Sequence, residues 1–288
     1  MTNVGKITGT LAKFGTSAEV KIGGAKWSLV LGTASLFSVR CAVGDGTNVL
    51  WDCTAKIRLT TWCRADEVKS AVWAKSFDSF NTKDGYAHSQ CFQLWFPRWP
   101  VNVEAEIEVI KLHVVDLSEP PNKSIGVEDG ACFEVDGHEL WLSKQVLSVH
   151  SPFFEALFSH DFEENATGCY ALKEVKIDDF KLFLSVLYNL DIPITMQESL
   201  EGLLRLGDIW QCDLVLRFCR DIISRPDSTF LSLRTKIQLC DRHRFSPLLG
   251  TIVEKAELNE LKALVKDGCC AKLSCFVHSV IMNRLAAS

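Results

Sequence analysis

The feature that most constrains this chain is a change of hydrophobic period near residue 120. Before that point apolar residues recur at every second position. Val103, Ala105, Ile107 and Val109 fall on one side of their segment, and Glu104, Glu106 and Glu108 fall on the other. That alternation is the mark of a strand with one buried face and one wet face. The runs AEVKI, KWSLVL, LFSVRCAV, AKIRLTTW and CFQLWF are likewise rich in β-branched and aromatic residues. Gly23-Gly24, Gly44-Asp45-Gly46 and the 81–85 loop separate them, as turn residues separate strands. Six of the eight tryptophans lie in this half. Six or more short antiparallel strands without a convincing helix predict a β-sandwich over residues 1–118.

The segment LSEPPNKSIG follows, with Pro120-Pro121 at its centre. It reads as a linker over 119–127, since it offers little that a core would take up. Beyond it the grammar is helical. ACFEV and HELWL flank Asp136-Gly137, which predicts a hairpin with a two-residue turn. Ser151-Pro152 is a helix start, with Ser as cap and Pro in the first turn. Phe153, Phe154, Leu157 and Phe158 follow at helical spacing. A short strand near 170–176 leads to Asp178 as the next cap, and then to a stripe of Phe180, Phe183, Leu184, Leu187 and Tyr188. Thr195 and Glu198 have the spacing of a capping box before a leucine-rich helix. Pro226 ends the helix that carries Val215, Cys219 and Ile222. Further helix starts fall at Ser246-Pro247 and near Glu257. Residues 128–226 form one α/β unit on this reading, and residues 227–288 a helical extension.

Composition excludes several classes. The longest uncharged stretches, Trp27–Val39 and Gly85–Pro97, have 13 residues each, short of the ~20 that a spanning helix needs. No apolar leader joins Lys6 to Lys13, so a cytoplasmic or nuclear protein is expected. There the 12 cysteines are expected as reduced, buried thiols. Residues 1–120 carry 13 basic and 12 acidic residues, and the remainder 18 and 24. Neither half has the basic excess of a nucleic-acid binder. No G-x-S-x-G elbow, H-E-x-x-H helix, P-loop or dinucleotide fingerprint is present, so no enzyme and no cofactor is expected. No C-x-x-C pair exists. Cys212 with Cys219, and Cys269, Cys270 and Cys275 with His278, lack the paired knuckles of a zinc site, so no metal is expected.

The stretch GHELWLSKQVLSVHSPFFEALFSHDFEEN, followed by ALKEVKIDDFKLFLSVLYN, resembles the BTB (POZ) domain. The shared elements are VDG-x-x-L, K-x-x-L-S, SPFFEALF and the spaced apolar positions ending in Leu-Tyr. The first half is similar to a MATH (TRAF-like) domain through its KW-S-L-V run and its NVEAEIEVI ending. The order of the parts is that of the MATH–BTB family. The resemblance implies an α+β multidomain fold: an N-terminal antiparallel β-sandwich, an α/β BTB domain and a helical tail. It further implies a homodimer, a substrate protein held by the sandwich, and a cullin-3 ubiquitin ligase as partner. Two family positions differ here. An acid usual before the hairpin is Gly130, and a histidine usual before the next helix is Ser143; both help to build a charged pocket at the dimer base.

In that family the loop after SPFFEALF meets the cullin through an apolar-x-Glu motif, which maps to Phe162, Glu163 and Glu164. An aromatic beside acids outside a helix has the make-up of an interface anchor, although the same ring could also tuck under its own domain. Trp73, Phe77 and Phe80 stand where MATH domains line a shallow peptide groove, with the alternative that they fill the core. The other reading of the whole chain is a BTB oligomerisation scaffold without a cullin partner.

Overall fold

The computed structural model describes residues 2–32, 36–44, 48–63, 68–83, 86–93, 100–159, 168–268 and 273–287. The first half is a pair of antiparallel sheets, as its period-two pattern requires. One sheet holds β1 (Val4–Leu11), β9 (Val101–Asp116), β5 (Val49–Trp62) and β6 (Val68–Asp78), in that order. The other runs β2 (Val20–Ile22), β3 (Ala25–Leu31), β4 (Leu36–Ala42), β8 (Tyr86–Gln93) and β7 (Thr82–Lys83). The predicted alternation on β9 holds from Val101 to Val109, with each valine, alanine and isoleucine buried. At that point the register with β5 shifts between Thr54 and Ala55. Ile110 is left exposed, and Lys111 reaches back to Asp52 at 3.0 Å. A bulge of this kind re-aims the side chains that follow it.

Between the sheets Ile7, Leu11, Ala105 and Ile107 meet Trp27, Leu29, Phe37 and Val39 in one core. Trp27 is fully buried; its ring stands edge-on to Phe77 at 5.3 Å, and its Nε1 donates to the Ile22 carbonyl at 3.1 Å. A buried indole N–H needs such a partner.

The expected linker is ordered. Leu117 and Ile125 are buried, and the Asn122 side chain accepts from the Ser124 and Ile125 amides while donating to the Ser118 carbonyl at 2.6 Å. An Asx-type turn of this kind replaces the open tether that proline content suggested. The Trp141 amide also donates to the Leu117 carbonyl at 2.9 Å.

The second region opens with β10 (Gly130–Val135) and β11 (His138–Ser143), and β10 lies between β11 and β12 (Cys169–Leu172). Asp136 and Gly137 both take positive φ, at 51° and 76°, as a two-residue hairpin turn demands. The helices are α1 (Lys144–His150), α2 (Pro152–Ser159), α3 (Ile177–Leu187), α4 (Gln197–Ile209) and α5 (Asp213–Ser224). The tail adds α6 (Leu233–Arg242), α7 (Ser246–Lys255), α8 (Leu258–Lys266) and α9 (Cys275–Ala286). Ser151 caps α2 as predicted, accepting from the Phe154 amide at 3.3 Å, and its hydroxyl also donates to the Trp210 carbonyl at 2.5 Å.

Three predicted helix starts move by a residue or two. The cap of α4 is Met196, without a side-chain bond, so Thr195 and Glu198 form no capping box; Gln197 instead bonds Glu201 at 2.8 Å. Asp178 lies inside the first turn of α3, and α7 is capped at Phe245.

The core of this region is aromatic. Phe133 is fully buried and stacks on Tyr170 at 5.2 Å, with Phe154, Phe158 and Phe180 within 6.3 Å. Trp210 closes the cluster against Phe183 at 4.8 Å and Phe154 at 5.1 Å. By its internal contacts the chain divides into two compact units. Residues 1–132, 140–143 and 188–192 form the first, and residues 133–139, 144–187 and 193–288 the second.

Candidate interaction surfaces

Residues proposed from sequence fall into three groups, and the fold treats each differently. Phe162, Glu163 and Glu164 lie outside the described residues. The described chain leaves α2 at Ser159 and resumes at Gly168 before β12.

The sandwich aromatics separate. Phe77 is a core ring, buried against Trp27 and paired in register with Cys53. It is therefore no lining for a peptide groove, because the period-two pattern turns it inward at the end of β6. Trp73 is half-buried and packs at the margin of the same core, and Phe80 is half-buried just beyond β6. The Phe80 and Asn81 amides both donate to Asp78 at 2.8 and 2.9 Å, which fixes that turn.

Packing bears on the two family positions that differ. A Cβ placed on Gly130 would come within 2.8 Å of the Pro120 ring, so any side chain there displaces the ordered turn before it. Ser143 is buried.

Exposed apolar side chains were not marked from sequence. Val149 on α1 is 72% exposed, and Phe153 on α2 is 37% exposed. The signal was present in KQVLSVHSPFF, where the helical stripe is wider than one buried face can absorb.

Six of the described cysteines act as fillers. Cys41, Cys53, Cys132, Cys212, Cys219 and Cys240 are buried thiols, while Cys169 and Cys275 are exposed. Burial raises the pKa of Cys41, Cys212 and Cys219 above the ordinary thiol range and pushes Cys240 up to about 12. A raised pKa depletes the thiolate, which is the reactive form. Iodoacetamide at about pH 8 is thus expected to label Cys169 and Cys275 in the native protein, and the six buried thiols only after unfolding. Peptide mapping by mass spectrometry checks this, and fast labelling of Cys219 or Cys240 would contradict it. Among the described residues no group of three His, Cys, Asp or Glu is placed to hold a metal, and Cys269 and Cys270 lie outside them. No helix among the described residues is long and apolar enough to cross a membrane.

Residues 130–226 match the family model of the BTB/POZ domain. The chain is 24% identical over 233 residues to BTB and MATH domain-containing protein 38 of Caenorhabditis elegans, covering 76% of this chain and 59% of that protein. It is 23% identical over 264 residues to BTB and MATH domain-containing protein 36 of the same organism, covering 82% and 78%. Over 110 residues it is 32% identical to TD and POZ domain-containing protein 2 of Mus musculus, covering 38% of this chain and 30% of that protein. The chain thus spans less than two thirds of the length of the first of these relatives and under a third of the length of the third.

Proposed function

From the BTB/POZ match at 130–226 and the likeness to BTB and MATH domain-containing proteins, we propose that this chain is a MATH–BTB interaction adaptor that dimerises through its BTB unit and presents substrate proteins to a cullin-3 ubiquitin ligase. The observation that carries the proposal is the joining, in one chain, of a two-sheet sandwich to a BTB domain at 130–226. The two parts divide the work. The BTB helices offer exposed Val149 and Phe153 as apolar surface for a second copy. Each sandwich then holds one substrate site, so a dimer gains avidity for substrates with two binding segments. The chain transfers nothing itself. Rate enhancement comes from bringing the substrate near a ubiquitin-charged enzyme.

Phe162, Glu163 and Glu164 are the proposed cullin contact, an aromatic anchor with a charged rim. Replacing Phe162 and Glu164 together by alanine is expected to abolish cullin co-purification from cell lysate while leaving thermal unfolding unchanged. Unchanged recovery of cullin would remove this assignment.

The cullin-free scaffold keeps one specific support, the closed space at Gly130. Functions that need a charged pocket at the dimer base are lost there, whereas dimerisation through apolar helix faces is not. In the scaffold reading the same pull-down returns partner proteins without cullin.

A further inference from the structure

The two faces that the sandwich turns away from its core carry charge in different ways. On the four-stranded sheet acids and bases alternate. Lys6 meets Glu104 at 3.1 Å, Arg58 meets Glu106 at 3.8 Å, and Lys56 is registered opposite Glu108. On the five-stranded sheet the register sets Lys21 opposite Lys26, Ser28 opposite Arg40 and Val30 opposite Ser38, with Tyr86 on the adjoining strand. Among the described residues, no strand position on that face is an Asp or Glu.

Arg40 lies at the centre of this face. It is half-buried, its guanidinium lies 5.5 Å from the Tyr86 ring centroid, and its Nε is buried without a hydrogen-bond partner. A buried donor left unmet is unfavourable and is rare in native folds. Stacking on Tyr86 fixes the plane of the guanidinium. A guanidinium held in this way presents a fork of donors that matches a carboxylate in two-point geometry. Ser38, partly exposed on the same face, adds a further polar contact, whereas Ser28, registered opposite Arg40, is buried.

We infer that this face of the five-stranded sheet docks an acidic segment of a partner protein, with Arg40 receiving a carboxylate of that segment. The inference rests on the recruitment reading above and gives it a chemical class: the sandwich selects acidic stretches in extended conformation. A nucleic acid fits less well, because the chain is net negative at −5 and the described part of this face holds a single aromatic platform rather than a series of them.

The test uses the full chain and fluorescence anisotropy. The probes are a short labelled peptide alternating Glu and Ser, its Gln–Ser counterpart, and a single-stranded RNA of the same length. The acidic peptide is expected to bind about tenfold or more tightly than the neutral one, weakening as salt rises. Arg40→Gln should erase that preference without changing binding of the neutral peptide, and Arg40→Lys should restore part of it. No binding, equal affinity for both peptides, a preference that survives Arg40→Gln, or tighter binding of the RNA would each overturn the inference. The recruitment reading is judged separately, by capture of cellular proteins and its loss when Trp73 and Phe80 are replaced by alanine. Capture that persists while the acidic peptide fails removes the acidic-segment inference alone.

Discussion

Replacing Phe133 by alanine is expected to destabilise the BTB unit by about 3–5 kcal/mol, enough to unfold it under mild denaturant. Phe133 is fully buried on the central strand of a three-stranded sheet, and four aromatic rings surround it: Tyr170, Phe154, Phe158 and Phe180. Truncation removes the apolar burial and also leaves a cavity, because rings held on β12, α2 and α3 cannot all move inward at once. Phe133→Leu keeps most of the volume and should lose about 1.5 kcal/mol or less. Hydrogen exchange read on peptides from β10, α2 and α3 gives the measurement. Protection in all three should fall together in Phe133→Ala. A loss confined to β10 would mean that the aromatic cluster is not one cooperative unit.

Trp27→Ala should have a comparable effect on the sandwich, about 3–5 kcal/mol. The ring fills the space between the sheets against Phe77, and its N–H donates to the Ile22 carbonyl. Alanine leaves that carbonyl without its donor as well as opening a void. Trp27→Phe separates the two contributions: it keeps much of the apolar contact and loses the hydrogen bond, so it should fall between wild type and alanine. Urea titration followed by exchange in β3, β5 and β9 reads the effect. If Trp27→Phe were as damaging as Trp27→Ala, the shape of the indole rather than its burial would dominate.

The buried faces were legible in sequence because they depend on local period. Alternation from Val103 to Val109 and the helical stripe from Phe180 to Leu187 both appear as buried faces. The Asp136-Gly137 turn and the Ser151 cap also carry their own local chemistry. What was not legible depends on pairing across the chain. The register shift between Thr54 and Ala55 that exposes Ile110 has no local signal, because it is set by β5 against β9. Leu117 and Ile125 enter a core although their neighbours Pro120-Pro121 and Asn122 read as a tether. Phe77 and Trp73 sit four residues apart on one strand, yet one is a core ring and the other a margin residue, a distinction that the strand's position at the edge of its sheet decides. Arg40 was invisible as a site because its place opposite Ser28 and beside Tyr86 exists only once the sheet is assembled.

The adaptor reading meets its most direct test in the mass of the purified chain mixed with the N-terminal domain of cullin-3, measured by light scattering on a sizing column. Alone, the chain should elute as a dimer with twice its 32.2 kDa chain mass. With the cullin fragment it should move to a complex holding two copies of each. A chain that runs as a monomer and does not co-elute with cullin would contradict the account, and a dimer that leaves cullin behind would favour the scaffold.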